Sequence, residues 1–133
     1  MDGIDQIYQE QILDHYKNPR NFGKMDNATV HHHEYNPLCG DEIEIFLIIK
    51  DGRIADVKIN GHGCAISQAS ASMLSEKVKG KTLEELKKLV KEDILEMLGI
   101  PLSPVRLKCA LLSLDTFKNA VVIYEKYIGD KKK

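Results

Sequence analysis

Residues 42–60 read "EIEIFLIIKDGRIADVKIN", and this stretch decides the fold of the chain. Its first half places apolar residues on one face of a strand, at Ile43, Ile45, Leu47 and Ile49. Its second half does the same at Ala55, Val57 and Ile59. The pair Asp51-Gly52 between the halves is typical of a type I′ turn, which needs positive φ at both central residues. The stretch therefore predicts an antiparallel hairpin with one apolar face.

The segment before the hairpin predicts a helix and a weaker strand. A helical stripe runs through Ile4, Ile7, Tyr8, Ile12 and Tyr16. It predicts an amphipathic helix over 4–17, which Asn18-Pro19 ends because the residue before proline disfavours helical geometry. A strand over about 29–35 is indicated less strongly, since three consecutive histidines interrupt the pattern.

After the hairpin the apolar spacing becomes helical. The first helix begins at Cys64 or Ala65 and ends before Gly80, and a capping box at 82–85 opens the next. The apolar residues expected inward there are Leu83, Leu86, Leu89 and Val90. A short helix ends at Gly99, and Ser103-Pro104 is typical of the start of a last, long helix. These elements predict an α+β fold, a small antiparallel sheet of about three strands with helices packed on one face, as a single domain over 1–133.

The composition excludes several function classes. The 133 residues carry 19 basic and 20 acidic side chains, so no strong net charge attracts nucleic acid or anionic lipid. The longest apolar run, 43–49, is too short to span a membrane. The sequence shows no pattern of a charged and then apolar leader, so we expect a cytoplasmic protein.

Three cysteines, Cys39, Cys64 and Cys109, are the candidate reactive groups. Their odd number and the lack of a C-x-x-C pair argue against a disulfide framework. Each follows a turn or lies near a helix start, where unpaired N–H groups favour the thiolate that binds metal or attacks sulfur. Any one of them alone is more commonly a small buried apolar residue. That interpretation fits Cys39 least well, because it does not explain Asp41 two residues later.

The histidines support weaker hypotheses. On a strand, His31 and His33 share a face and His32 points the other way, and we favour solvent exposure over metal binding for all three. Gly61 and Gly63 around His62 predict a mobile or tightly turned loop that gives Cys64 freedom to open. A hydrolase that uses Cys64 with His62 would need a base within hydrogen-bond reach, which this spacing does not guarantee. A purely structural interaction module would leave the loop thiols unexplained.

Three segments, "NPLCGDEIEIFL", "GHGCAISQASASML" and "SPVRLKCALLSLDTFKNAV", together resemble the U-type iron–sulfur cluster assembly scaffolds, the IscU/SufU family. The resemblance implies a scaffold with no turnover chemistry of its own, which assembles a labile [2Fe-2S] cluster from iron and persulfide sulfur and passes it to recipient apoproteins. It implies Cys39, Asp41, Cys64 and Cys109 as the ligands, and the three cysteines as candidate sulfur acceptors. The implied partners are a cysteine desulfurase and the recipient proteins. A chaperone and a homodimer stay open.

One departure from the family pattern leaves a second function open. Lys108 stands where many IscU members carry a histidine, and lysine at this place is similar to SufU proteins. The stretch 79–101, however, is too short for the insertion that SufU proteins usually carry. The alternative is a zinc-dependent sulfur acceptor that holds zinc in the same site. We expect Lys108 and Arg106 to tune the thiols electrostatically.

Overall fold

The computed structural model describes residues 3–37 and 40–131, with side chains over 9–37 and 40–129. In chain order, the elements are helix α1 (Gly3–Lys17), strands β1 (Val30–Asn36), β2 (Asp41–Lys50) and β3 (Arg53–His62), and helices α2 (Ala65–Val78), α3 (Leu83–Lys87), α4 (Lys91–Leu98) and α5 (Pro104–Lys131). Across these residues, every helix is too short or too polar to cross a membrane.

The predicted hairpin is β2 and β3, and it lies in a three-stranded antiparallel sheet of order β1-β2-β3. Asp51 and Gly52 have φ values of 54° and 72°, which confirms the turn geometry expected from this pair. Strand alternation buries Ile43, Ile45 and Leu47 on the side of the helices. The α+β fold class predicted from the sequence is therefore confirmed.

One detail of the hairpin differs from the prediction. The pairing of β2 with β3 shifts between Ile48 and Ile49, so β3 contains one extra residue, a β-bulge. As a result, Ala55 is exposed and Ile54 takes the buried position, whereas strict alternation placed Ala55 inward.

Helices α2 and α5 pack on one face of the sheet, and α1 packs on α2. The centre of this layer holds large side chains with no exposed surface, including Leu74 and Phe117. The contact between α2 and α5 is also polar: the Ser70 hydroxyl donates to the Ala110 carbonyl at 2.8 Å and lies 2.9 Å from the Ser113 hydroxyl. These bonds satisfy buried polar groups that would otherwise cost stability, and they join α2 to the start of α5.

The helix boundaries follow the predicted capping residues. Thr82 and Glu85 form the capping box of α3, and the Ser103 hydroxyl accepts the Arg106 N–H at 3.3 Å at the start of α5. The inward placement of Val90 was wrong, since this side chain is 47% exposed. It lies in the connection between two helices, where helical spacing no longer applies.

A cluster of hydrogen bonds fixes α1 and the following turn to α2. The Ser72 hydroxyl accepts the Arg20 N–H at 2.8 Å and lies 2.7 Å from His15 Nδ1, so it can donate to the neutral ring. Ile12 is buried as predicted, but Tyr16 is 44% exposed, because His15 rather than Tyr16 faces α2. The other predicted stripe positions precede residue 9 and lie outside the described side chains.

We expect the free energy of unfolding to fall as the pH drops below about 6.5, the ordinary pKa of histidine. Burial lowers the pKa of His15 in the folded protein, and the Arg20 charge adds to this effect against the opposing charges of Glu76 and Asp14. The unfolded chain then binds more protons, so the contribution of His15 is complete above the unfolded pKa and is lost as the pH falls toward the folded pKa. Urea unfolding at pH 7.5 and 5.5 measures this loss.

The control is His15→Gln, which cannot titrate. The variant should show a smaller difference in unfolding free energy between the two pH values than the wild-type protein shows. Equal differences would contradict a role of His15 in the pH dependence.

Candidate metal centre

The first residue of β2, Asp41, is completely buried. It shares the helix-facing side of the strand with Ile43 and Ile45, which turns its carboxylate toward the start of α2. The Cys64 N–H donates to Asp41 Oδ1 at 2.8 Å, and Cys64 Sγ lies 3.8 Å from Oδ2. A buried carboxylate needs such partners, because removing it from water without them is costly.

The glycine loop between β3 and α2 allows this close approach. A side chain on Gly63 would place its Cβ 2.2 Å from Asp41 Oδ1, and one on Gly61 would lie 2.0 Å from the Glu42 carbonyl oxygen. Both glycines have positive φ, 139° at Gly61 and 152° at Gly63. The two glycines therefore let the loop pack tightly on β2, in agreement with the tightly turned alternative, and the freedom of the loop to open stays a prediction.

Cys64 is the N-cap residue of α2 and is half-buried. The Ser67 N–H at the helix start points to Cys64 Sγ at 3.5 Å. Unpaired N–H groups at a helix N-terminus carry partial positive charge. The Cys64 sulfur therefore lies at the positive end of the α2 dipole.

Cys109 lies in the second turn of α5 and is buried. One ligand atom each from Asp41, Cys64 and Cys109 lie within 4.8 Å of one another. Ligands about 2.3 Å from a tetrahedral zinc ion are roughly 3.8 Å apart, so small side-chain movements would bring all three onto one ion. The structure thus joins three residues that are far apart in the sequence.

Cys39, the fourth predicted ligand, lies outside the described residues. Its neighbours in the chain are described: the Gly40 N–H donates to the Asn36 carbonyl at 2.8 Å, and Gly40 has a φ of 69°. The backbone thus turns at Gly40, directly before Asp41. The positive φ of Gly40 is a conformation that favours glycine.

Lys108 and Arg106 are both exposed on the first turns of α5. Lys108 lines a cavity of about 270 Å³ together with Tyr35 and Asp115, and it forms no ion pair with any residue of the described segments. Burial raises the pKa of Asp115, the negative charge of Glu34 adds to the shift, and Lys118 opposes it. Tuning of the thiols by Lys108 and Arg106 stays a prediction.

His62 does not form a pair with Cys64. Its Nδ1 lies 3.3 Å from Glu42 Oε2, and Glu42 points to the face of the sheet opposite Asp41. The hydrolase hypothesis needed a base next to the thiol, and the described contacts of Cys64 Sγ are with Asp41 and the Ser67 N–H instead. His33 is exposed, as predicted, and is also hydrogen-bonded to Glu42. No pattern along the chain indicated that two histidines flank one glutamate, because this contact depends on the pairing of the strands.

The chain matches the family described as "NifU-like N terminal domain" over residues 7–131. It is 39% identical over 118 residues to the iron–sulfur cluster assembly scaffold protein IscU 1 of Archaeoglobus fulgidus, an alignment that covers 89% of this chain and 76% of the relative. It is 35% identical over 135 residues to the zinc-dependent sulfurtransferase SufU of Bacillus subtilis, covering 89% and 91% of the two chains.

The fold is similar to that of a solved protein of the SUF system from Fervidobacterium islandicum AW-1. The TM-score is 0.77 at 32% sequence identity, and the match covers 90% of this chain and 99% of the crystallised one. Sequence and fold comparisons therefore agree on one family.

Proposed function

The chain belongs to the NifU-like N terminal domain family, the family of the IscU and SufU proteins, and from this premise we propose that it is an iron–sulfur cluster assembly scaffold. The observation that carries the proposal is the meeting of Asp41, Cys64 and Cys109 at one end of the sheet. We treat residues 1–133 as one scaffold domain. The fourth ligand in this proposal is Cys39, two residues before Asp41.

The donor set fits a cluster that is built and then released. Thiolates are soft ligands and suit iron–sulfide clusters, whereas a carboxylate oxygen is a harder and weaker partner for a cluster iron. Three thiolates and one carboxylate would hold a [2Fe-2S] cluster less firmly than four thiolates would. We infer that a cysteine desulfurase supplies persulfide sulfur to one of the thiols and that recipient apoproteins accept the finished cluster.

Anaerobic reconstitution with ferric iron and sulfide tests this function directly. We expect the wild-type chain to take up iron and sulfide in equal amounts and to gain visible absorption. Cys64→Ser and Cys109→Ser should each lose most of this absorption, because a hydroxyl is a poor replacement for a thiolate at cluster iron. Iron and sulfide analysis after gel filtration measures the loss.

Thr116→Ser is the matched control on α5. Thr116 is buried and its hydroxyl donates to the Leu112 carbonyl at 2.7 Å, so the variant perturbs the same helix without touching a candidate ligand. It should reconstitute like the wild-type chain. If the cysteine variants also reconstitute fully, the proposed ligand set is wrong.

A second candidate function is a zinc-dependent sulfur acceptor. Its support is the 35% identity to a relative named as a zinc-dependent sulfurtransferase, together with Lys108 before the last cysteine. Cys64, Cys109, Asp41 and Cys39 would then hold a four-coordinate zinc ion, and one thiolate would leave it to accept sulfur. Metal analysis after anaerobic purification distinguishes the two: a tightly held equivalent of zinc that blocks cluster formation favours the acceptor.

A further inference from the structure

The sheet face that the helices leave uncovered carries a second group of metal-ligating side chains. Its members lie on three adjacent strands: His33 on β1, Glu42 on β2 and His62 on β3. Glu42 is the register partner of His62 on β3, and on β1 His33 lies two residues from Tyr35, the register partner of Glu42. Their side chains are 43%, 33% and 74% exposed, so all three can adjust their positions.

Two imidazoles flank a single carboxylate in this group. His33 Nε2 is hydrogen-bonded to Glu42 Oε1, and His62 Nδ1 lies 3.3 Å from Glu42 Oε2. The next carboxylate along β2 is already occupied: Glu44 lies 2.7 Å from His31 Nε2 and 3.4 Å from Asn60 Nδ2. His31 in turn stacks on Phe46 with ring centroids 4.6 Å apart. Glu42 therefore has two histidine neighbours that are not required elsewhere.

The chemistry of this set is that of a metal site. Two histidines and one carboxylate, with open positions for water, bind ferrous iron in many proteins, and imidazole and carboxylate also suit zinc and cobalt. A cavity of about 280 Å³ lies over the three side chains and has room for an ion and its waters. Lys24 lines the same cavity and adds positive charge, which weakens cation binding without blocking it.

We propose that His33, Glu42 and His62 form a second site, which binds a divalent first-row transition metal ion. The ion would be held by the Glu42 carboxylate and the two imidazoles and would replace their present contacts with one another. The assignment of ferrous iron as the natural ion rests on the proposed scaffold function, because that function consumes iron. The existence of the site does not rest on it.

The position of the site gives it a specific role. His62 and Cys64 are separated only by Gly63, and Glu42 and Asp41 are consecutive in β2. The start of β2 and the loop between β3 and α2 thus each carry one ligand of the cysteine site and one ligand of the second site. The two sites lie on opposite faces of the sheet. The second site holds iron next to the cysteine site before a cluster forms.

The test uses Co²⁺, an ion whose binding to thiolates produces charge-transfer absorption that nitrogen and oxygen ligands do not produce. A chain with all three cysteines replaced by serine should bind one Co²⁺ without that absorption. His33→Gln in this background should weaken binding by about a hundredfold, since a ligand is lost. In an anaerobic titration with Fe²⁺, the serine background should likewise bind more tightly than the same chain with His33→Gln.

His32→Gln is the matched control. His32 is the adjacent histidine on the same strand, but it points to the other face and lies 3.0 Å from Glu34 Oε2. It should leave Co²⁺ binding unchanged. Equal binding by the two variants, or no binding to a folded serine background, would overturn the proposal.

Wild-type measurements keep the test valid if the serine background does not fold. The wild-type chain should bind two Co²⁺ ions, and only one of them should show thiolate charge-transfer absorption. His33→Gln should lose only the ion that lacks this absorption. A wild-type chain that binds only the thiolate-ligated Co²⁺ and still reconstitutes a cluster normally would reject the second site alone. Normal second-site binding without any cluster would reject the scaffold function and leave the metal site in place.

Discussion

A Gly63→Ala variant is expected to lose most of its affinity for metal and cluster. The added Cβ would lie 2.2 Å from Asp41 Oδ1 and 2.9 Å from Asp41 Cα, so Asp41 or the loop must move. Either movement breaks the bond between the Cys64 N–H and Asp41, which orients both candidate ligands. We expect affinity to fall by about 10–100-fold, the usual cost when the support of a ligand is lost. Co²⁺ titration against a chelator measures it.

Gly80→Ala is the control for backbone strain in that experiment. Gly80 also has positive φ, 89°, but a Cβ there would meet no atom within 4 Å. Gly80→Ala should lose about 1–3 kcal/mol of unfolding free energy from the strained backbone. Gly63→Ala should lose more, because it also breaks the bond between the Cys64 N–H and Asp41. Only Gly63→Ala should lose metal affinity. Equal Co²⁺ binding by the two variants would contradict the proposed clash between a Gly63 side chain and Asp41.

An Asp41→Ala variant is expected to hold an assembled cluster longer than the wild-type chain. The carboxylate is the weakest of the four candidate ligands, and its exchange provides an easy first step of release. Without it, we expect release to slow by about tenfold, equivalent to about 1.4 kcal/mol in the barrier. The measurement is the rate of cluster transfer to an apo-ferredoxin under anaerobic conditions. Faster transfer from the variant would reject this role.

Asp41→Asn separates the ligand role from the structural role. Asp41→Ala also leaves the Cys64 N–H without its acceptor, which should cost about 1–3 kcal/mol of unfolding free energy. The amide oxygen of asparagine can keep that bond while removing the carboxylate. We therefore expect Asp41→Asn to release the cluster slowly but to retain more stability than Asp41→Ala.

The elements that depend on local patterns could be predicted from the sequence. The hairpin follows from alternation around Asp51-Gly52, and the start of α3 follows from Thr82 and Glu85, because these features need only neighbouring residues. The bulge at Ala55 could not be predicted, since an extra residue in one strand depends on the pairing partner. The exposure of Val90 has a similar cause, because its helical spacing continues past the end of α3.

The candidate site was only partly accessible to sequence reasoning. The sequence motifs identified Asp41, Cys64 and Cys109 as candidate ligands. That the three side chains lie close together depends on how α2 and α5 pack on the sheet, and this packing cannot be read from the spacing of the residues along the chain. The glycine loop was identified, yet its purpose was not: the atoms that forbid a side chain at Gly63 belong to Asp41, more than twenty residues earlier. The group of His33, Glu42 and His62 required the register of three strands.

The hydroxyl bonds between α2 and α5 have a consequence for how the two cysteines can move. Ser70 is bonded to Ala110, the residue next to Cys109, and α2 begins directly after Cys64. Apolar side chains can shift gradually against one another. The bond from the Ser70 hydroxyl to the Ala110 carbonyl is directional, so it must break before α2 can translate along α5, and the hydroxyl must then find another acceptor. The bond thus fixes the distance between the sulfurs of Cys64 and Cys109. Opening of the site by helix motion would proceed in discrete jumps rather than by slow widening.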